Sequence, residues 1–236
     1  MTKTYKDLRE FLATLEEEGQ LVRIKEEVMP EPDIGAAGRA CANMKEKPAV
    51  LFEKVKGYKY SVVTNVHGSW QNHALMLGMP KNATVKEQFL ELNRRWDKFP
   101  VPPTIVSREE AKCKENVITE NINLFDILPL YRINDQDGGF FISKASVVTG
   151  DLDEPDNLDK LNVGTYRIQV KDIDRVGIQA LPFHDIAIQL AKAEALNKPL
   201  PIAIALGNSP LVTFMASTPV AYNQNEYEFV GALQNG

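Results

Sequence analysis

Cysteine, histidine and tryptophan are scarce in this sequence, with two, three and two copies in 236 residues. Cys41 and Cys113 stand far apart and outside any Cys-x-x-Cys or Cys/His cluster, which argues against a disulfide framework or a thiolate zinc site. Both are expected as reduced thiols of a cytoplasmic protein. No apolar run approaches the roughly 20 residues that cross a bilayer. The charged opening MTKTYKDLREFLATLEEEGQ lacks the apolar core and small-residue cleavage site of a signal peptide, so no membrane partner is expected. Basic charge is also short: 27 Lys+Arg against 32 Asp+Glu give a net charge of -5. That balance opposes the basic face needed to neutralise phosphates, so nucleic acid is excluded as a partner and small molecules are favoured. No GxGxxG follows a strand, which removes the dinucleotide fingerprint and leaves Gly138 and Gly139 in DQDGGF as a turn or close-approach signal.

What is present is an ordinary globular composition, 44% hydrophobic and 25% charged, enough for one large domain or two small ones. Leu8, Phe11, Leu12 and Leu15 recur at helical spacing and run up to Gly19, a stop signal, with a strand expected over Gln20 to Ile24. Strands are expected over Ala49 to Phe52 and Tyr60 to Thr64 around a KGYK turn, and a second long helix over Val85 to Trp96. This alternation points to a mixed α/β block. FPVPPTIVS holds three prolines and is extended, so a domain boundary is placed soon after it, dividing the chain into 1–115 and 116–236. Beyond it, FISKASVVTG, GTYRIQV and VGIQAL read as three neighbouring antiparallel strands. HDIAIQLAKAEALN has helical periodicity, PLPIAIALG reads as a buried strand and SPLVTFMAS as a short helix.

Three places carry chemistry by residue type. In NVGTYR, the Asn162 amide oxygen suits a hard cation and the Arg167 guanidinium can fork onto a phosphate or carboxylate. A turn asparagine and a surface arginine explain the same letters. The two residues are five apart and would point to opposite faces of a regular strand, unless Gly164 bulges or Asn162 precedes the strand. His184 opens a helix between Pro182 and Asp185, as a metal ligand or as a structural residue. Glu226 and Glu228 in NQNEYEFVGAL share a face at strand spacing but not at helix spacing, and either alone reads as a solvated carboxylate. His67 and His73 flank Trp70, but a spacing of six with no carboxylate between them does not make a metal site.

In this order and spacing, NVGTYRIQV, LPFHDIA and FMASTPVAYNQNEYEFVGAL, with YKDLREFL and DILPLYR before them, resemble the UbiD-type decarboxylases over essentially the whole chain. Within that family the wording is most similar to the large C subunits of 4-hydroxybenzoate and vanillate decarboxylases. The resemblance implies an α+β protein: the α/β N-terminal domain is followed by an antiparallel split β-barrel like that of flavin reductases, here incomplete. It implies prenylated FMN as cofactor. Asn162, His184 and Glu226 would ligate a divalent metal, typically Mn2+, that bridges to the cofactor phosphate. Glu226 takes this place over Glu228 because it is the seventh residue after Pro219. Thr165, Tyr166, Arg167 and His184 would contact the cofactor, and Ala216, Ser217, Thr218 and Pro219 would form the loop over its phosphate and a potassium ion (K+). Arg167 would be catalytic, beside the isoalloxazine and paired with acidic residues. The implied reaction is non-oxidative, reversible decarboxylation of a hydroxylated aromatic acid by a homo-oligomer with small accessory B and D subunits. The acid/base carboxylates would lie beyond Gly236, so the 236-residue chain is expected to be inactive alone. A flavin-binding split barrel without decarboxylation, and a non-catalytic subunit, are the other readings.

Overall fold

In the computed structural model, which describes residues 4–234, the chain opens on helix α1 (Leu8–Glu17). Asp7 starts it by accepting from the Glu10 N–H, and Gly19 at φ +70° turns the chain out of it. Strand β1 (Leu21–Val28), helix α2 (Asp33–Ala42) and strands β2 (Ala49–Val55) and β3 (Val62–Thr64) follow. Because α2 carries the chain back, β1 and β2 pair in parallel, while β3 adds antiparallel on the far edge of β2. Ile34 of α2 packs on Val50, Phe52 and Val55. Helix α3 (Trp70–Met76) is capped by Ser69, and α4 (Val85–Trp96) by a reciprocal Thr84–Glu87 capping box.

After a stretch whose only α-helix is α5 (Leu124–Ile127), the second half holds β4 (Phe141–Ile142), β5 (Ser146–Thr149), β6 (Asn162–Gly164), β7 (Arg167–Asp172) and β8 (Arg175–Gln179). Helix α6 (Asp185–Ala195), strand β9 (Ile202–Ala205) and helices α7 (Pro210–Met215) and α8 (Glu226–Gln234) complete it. FISKASVVTG and the expected strand GTYRIQV, taken with Asn162 and Val163 before it, are therefore not single strands. Each breaks in the middle, and its halves join different antiparallel sheets, in the orders β4-β7-β8 and β6-β5-β9. Such a corner lets Ile142 and Ile168 of one sheet and Val147 of the other face one core, which Ile186 of α6 also enters. Among the described residues these strands form two separate sheets and close no barrel. The strand expected to be buried in PLPIAIALG is β9, with Ile202 43% exposed, because it is an edge strand paired only with β5. No helix is long and apolar enough to cross a membrane among the described residues, and both cysteines are free.

The largest apolar core joins the two ends of the chain: Phe11 and Leu15 of α1 and Leu75 and Met76 of α3 meet Leu211 and Met215 of α7 and Phe229 and Leu233 of α8. Arg95, 2% exposed, fastens it by donating to the Leu77 carbonyl at 2.8 Å, the Leu233 carbonyl at 2.7 Å and Glu91 Oε1 at 2.7 Å. Arg95→Met keeps the stem and strands both carbonyls, so urea unfolding is expected to show a loss of about 3 kcal/mol. A loss under about 0.5 kcal/mol would mean that these bonds carry no stability.

Candidate functional site

Four elements meet at a cavity of about 280 Å³. Asn162 and Gly164 come from β6, His184 from the N-cap of α6, residues 216–219 from the turn after α7, and Glu226 from the first turn of α8. Asn225 sets that last turn, accepting from the Tyr227 N–H at 2.9 Å while its own amide donates to the Leu158 carbonyl at 2.8 Å.

Glu226 is 6% exposed, and its Oε2 accepts from the Val163 N–H at 2.7 Å. Burial pushes its carboxyl up to about 7 against that hydrogen bond, and the like charge of Asp185 adds to the rise. Asn162 is held from two sides: its Nδ2 donates to Thr149 Oγ1 at 2.9 Å and to Tyr166 Oη at 3.2 Å. The amide oxygen keeps only a long contact, 3.4 Å, from the Tyr166 hydroxyl. Thr149 is placed there by register, since β5 and β6 pair it directly with Asn162.

His184 is half-buried, its ring 5.3 Å from that of Tyr166 and 4.7 Å from that of Phe183. Its Nδ1 accepts from the Leu181 N–H at 3.3 Å, which leaves Nε2 as the ring nitrogen that carries a proton in this rotamer. Beside it, burial raises the Asp185 carboxyl, and the His184 ring offsets part of that rise. The 216–219 turn is tied to the end of β6. The Thr165 N–H donates to the Ala216 carbonyl at 2.7 Å, and Ser217 Oγ donates to Thr165 Oγ1 at 3.3 Å while accepting from Lys144 Nζ at 3.0 Å. The Thr218 hydroxyl donates to the Phe214 carbonyl at 2.9 Å.

Of the residues singled out in the sequence, Asn162, Thr165, Tyr166, His184, Ala216, Ser217, Thr218, Pro219 and Glu226 all line this cavity. Arg167 does not. It is the exposed first residue of β7 and lines an adjoining pocket with Thr165, Tyr166 and Phe141. No carboxylate forms an ion pair with it among the described residues. Asn162 and Arg167 belong to different strands in different sheets, so the five-residue spacing raises no conflict of faces. Glu226 and Glu228 lie on a helix, where two positions do not share a face, and only Glu226 reaches the cavity. His67 and His73 lie with ring centroids 5.6 Å apart, His73 edge-on to Trp70 and Phe214. Among the described residues no group of three or more His, Cys, Asp and Glu is arranged to hold a metal; the Asn162, His184 and Glu226 set contains two such residues. Thr149 and Lys144, which hold the site from behind, carry no motif; only strand register and the break after β4 bring them in.

Residues 104–236 match the family model described as 3-octaprenyl-4-hydroxybenzoate carboxy-lyase Rift-related domain, UbiD, and residues 12–92 match the corresponding N-terminal domain. A phenolic acid decarboxylase of Sedimentibacter hydroxybenzoicus is 78% identical over 237 residues, spanning 100% of this chain and 49% of that protein. The solved closed form of vanillic acid decarboxylase from the same organism superposes with a TM-score of 0.97 at 78% identity, covering 99% of this chain and 49% of that one. An evolved dimeric form of the UbiD-class enzyme HmfF from Pelotomaculum thermopropionicum, in complex with prFMN, gives 0.86 at 34% identity over 97% of this chain and 51% of that one. The chain thus spans about half the length of the curated relatives it matches.

Proposed function

Because the chain belongs to the UbiD carboxy-lyase family, we propose that it holds prenylated FMN through a divalent cation ligated by Asn162, His184 and Glu226. The protein so assembled removes CO2, reversibly and without oxidation, from a hydroxylated aromatic acid such as 4-hydroxybenzoate or vanillate. The observation that supports this most is the Glu226 carboxyl, nearly inaccessible to water, pushed up to about 7 and sharing a cavity wall with an underused amide oxygen and an imidazole. A buried carboxylate is held ionised most readily by a cation, and two oxygens with one imidazole suit Mn2+. His184 fits on one condition: ligation through Nε2 requires its proton to move to Nδ1 and the contact with Leu181 to be released. The 216–219 turn offers small residues and backbone groups that allow close approach of a phosphate and of K+.

When bound, prenylated FMN supplies the electron sink for loss of CO2. The chain's own residues do the rest. Thr165 and Tyr166 form the wall between the cavity and the Arg167 pocket, where the guanidinium orients the substrate carboxylate as a bidentate donor. In this reading residues 1–115 and 116–236 are two domains, the second built like a flavin-reductase split barrel, in a homo-oligomer that takes a small accessory subunit. The vanillic acid decarboxylase relative is itself named as a CD complex.

Reconstituting the natural polypeptide with prenylated FMN and Mn2+ and measuring CO2 from 4-hydroxybenzoate and vanillate tests the activity; no CO2 from either would overturn it. The orienting hydroxyl is tested separately. Thr149→Val removes only the acceptor that turns the Asn162 amide, and Mn2+ affinity read by EPR titration is expected to fall about 10–100-fold, with Thr149→Ser restoring it. An unchanged affinity in Thr149→Val would show that the amide needs no such support.

A further inference from the structure

A separate cleft of about 530 Å³ lies between the N-terminal sheet and β4, and it shares no lining residue with the Asn162–Glu226 cavity. Its volume falls in the range of roughly 300–1,000 Å³ typical of small-molecule sites. Three aromatic rings line it, Tyr60, Tyr131 and Phe141, with Val63 among the aliphatic side chains, and this mostly apolar surface contains one lysine, Lys144, and no carboxylate. Lys144 has no carboxylate partner in any ion pair among the described residues, and its ammonium donates only to the Ser217 hydroxyl, at 3.0 Å. Although the side chain reaches solvent, partial desolvation by the cleft walls holds it below the usual lysine range. His67 is the other titratable group in the lining; burial, then His73 and Lys144, push it down to about 4, so it is a neutral hydrogen-bonding group and adds no second charge near neutral pH.

We propose that this cleft binds a small aromatic monocarboxylate, with the ring between the tyrosines and Phe141 and the carboxylate on Lys144. One unpaired ammonium in an apolar wall matches one negative charge on an apolar body, and the aromatic lining favours a ring by offset or edge-on packing. The nearest competing place is the Arg167 pocket, which shares Tyr131, Phe141, Ile142 and Ser143 with the cleft. The Lys144 side suits the anion better, because its walls are more apolar and hold no carboxylate, whereas Asp137 lines the Arg167 pocket.

The natural polypeptide, freed of metal and flavin, is titrated with 4-fluorobenzoate and with its neutral analogue 4-fluorobenzamide, followed by fluorine NMR. Omitting metal and flavin separates this test from that of the decarboxylase reading, which stands or falls on CO2 release and on cation retention by Asn162, His184 and Glu226. Saturable binding of the acid is expected, weakened about ten-fold or more in Lys144→Met, in the cleft-filling Val63→Trp and for the amide, and kept in Lys144→Arg and Arg167→Met. Lys144 is exposed to solvent, so Lys144→Met is expected to fold; a melting midpoint equal to that of the natural protein checks this. Binding that survives Lys144→Met unchanged, binding lost in Arg167→Met instead, or no saturable binding would each overturn the proposal.

Discussion

Glu226→Gln is expected to leave the purified protein with little or no manganese and, with it, little flavin. Glutamine keeps the size of the side chain and can still accept from the Val163 N–H, so the substitution removes charge and nothing else from the cavity. Losing a directly ligating carboxylate should cost more than the roughly 10–100-fold in affinity typical of outer-shell changes. The loss cannot be blamed on folding, because the metal-free variant is expected to be at least as stable as the natural protein. Above pH 7 the natural protein carries an ionised carboxylate in a dry site, whose titration stands near 7 against an ordinary 4.5, and glutamine relieves that cost. Manganese and flavin per chain after gel filtration, with melting midpoints for the metal-free forms, are the measurements. Full manganese content in Glu226→Gln would remove Glu226 from the ligand set.

Acid should weaken the protein through His67. Its ring is held neutral by burial, reinforced by His73 and Lys144, with the titration pushed from an ordinary 6.5 down to about 4. The unfolded chain takes up a proton near 6.5 while the folded one does not, so this contribution is complete above pH 6.5 and is lost as the pH falls toward 4. Between pH 7 and 4.5 the loss comes to about 2–3 kcal/mol, at the lower end because the ring is not fully buried. His73 is shifted in the same direction by burial and by Lys144, so it adds to the slope. Urea unfolding of the natural protein and of His67→Asn at both pH values isolates the contribution of this ring. Parallel losses in the two proteins would show that His67 is not held neutral by the fold.

Much of the helical frame was legible because the signals there are local. Val85 to Trp96 is bounded by Thr84 and Glu87, which cap each other through atoms three residues apart, and the first helix by Asp7 and Gly19. The helix of Glu226 was missed because Glu226 and Glu228 alternate as in a strand; the signal that could have found it is its cap, Asn225, with Glu228 three residues on. The strand corner at Ser143 to Ala145 was invisible, because no Pro or Gly marks it, and the one at Thr165 to Tyr166 was hinted at only by Gly164; competition between two sheets for one core makes both breaks. The residues lining the cavity were readable as an ordered set of motifs, whereas Thr149 and Lys144 reach it through strand pairing and a chain bend.

The core that joins the first helices to the last two has a mechanical meaning for the cavity. Glu226 and the 216–219 turn are carried by helices anchored among Phe11, Leu15, Leu75 and Met76, while Asn162 and His184 are carried by the sheets and α6. An ion gripped from both sides would act as a rivet through this seam, so loading it would stiffen the joint between the two halves as well as seat a phosphate.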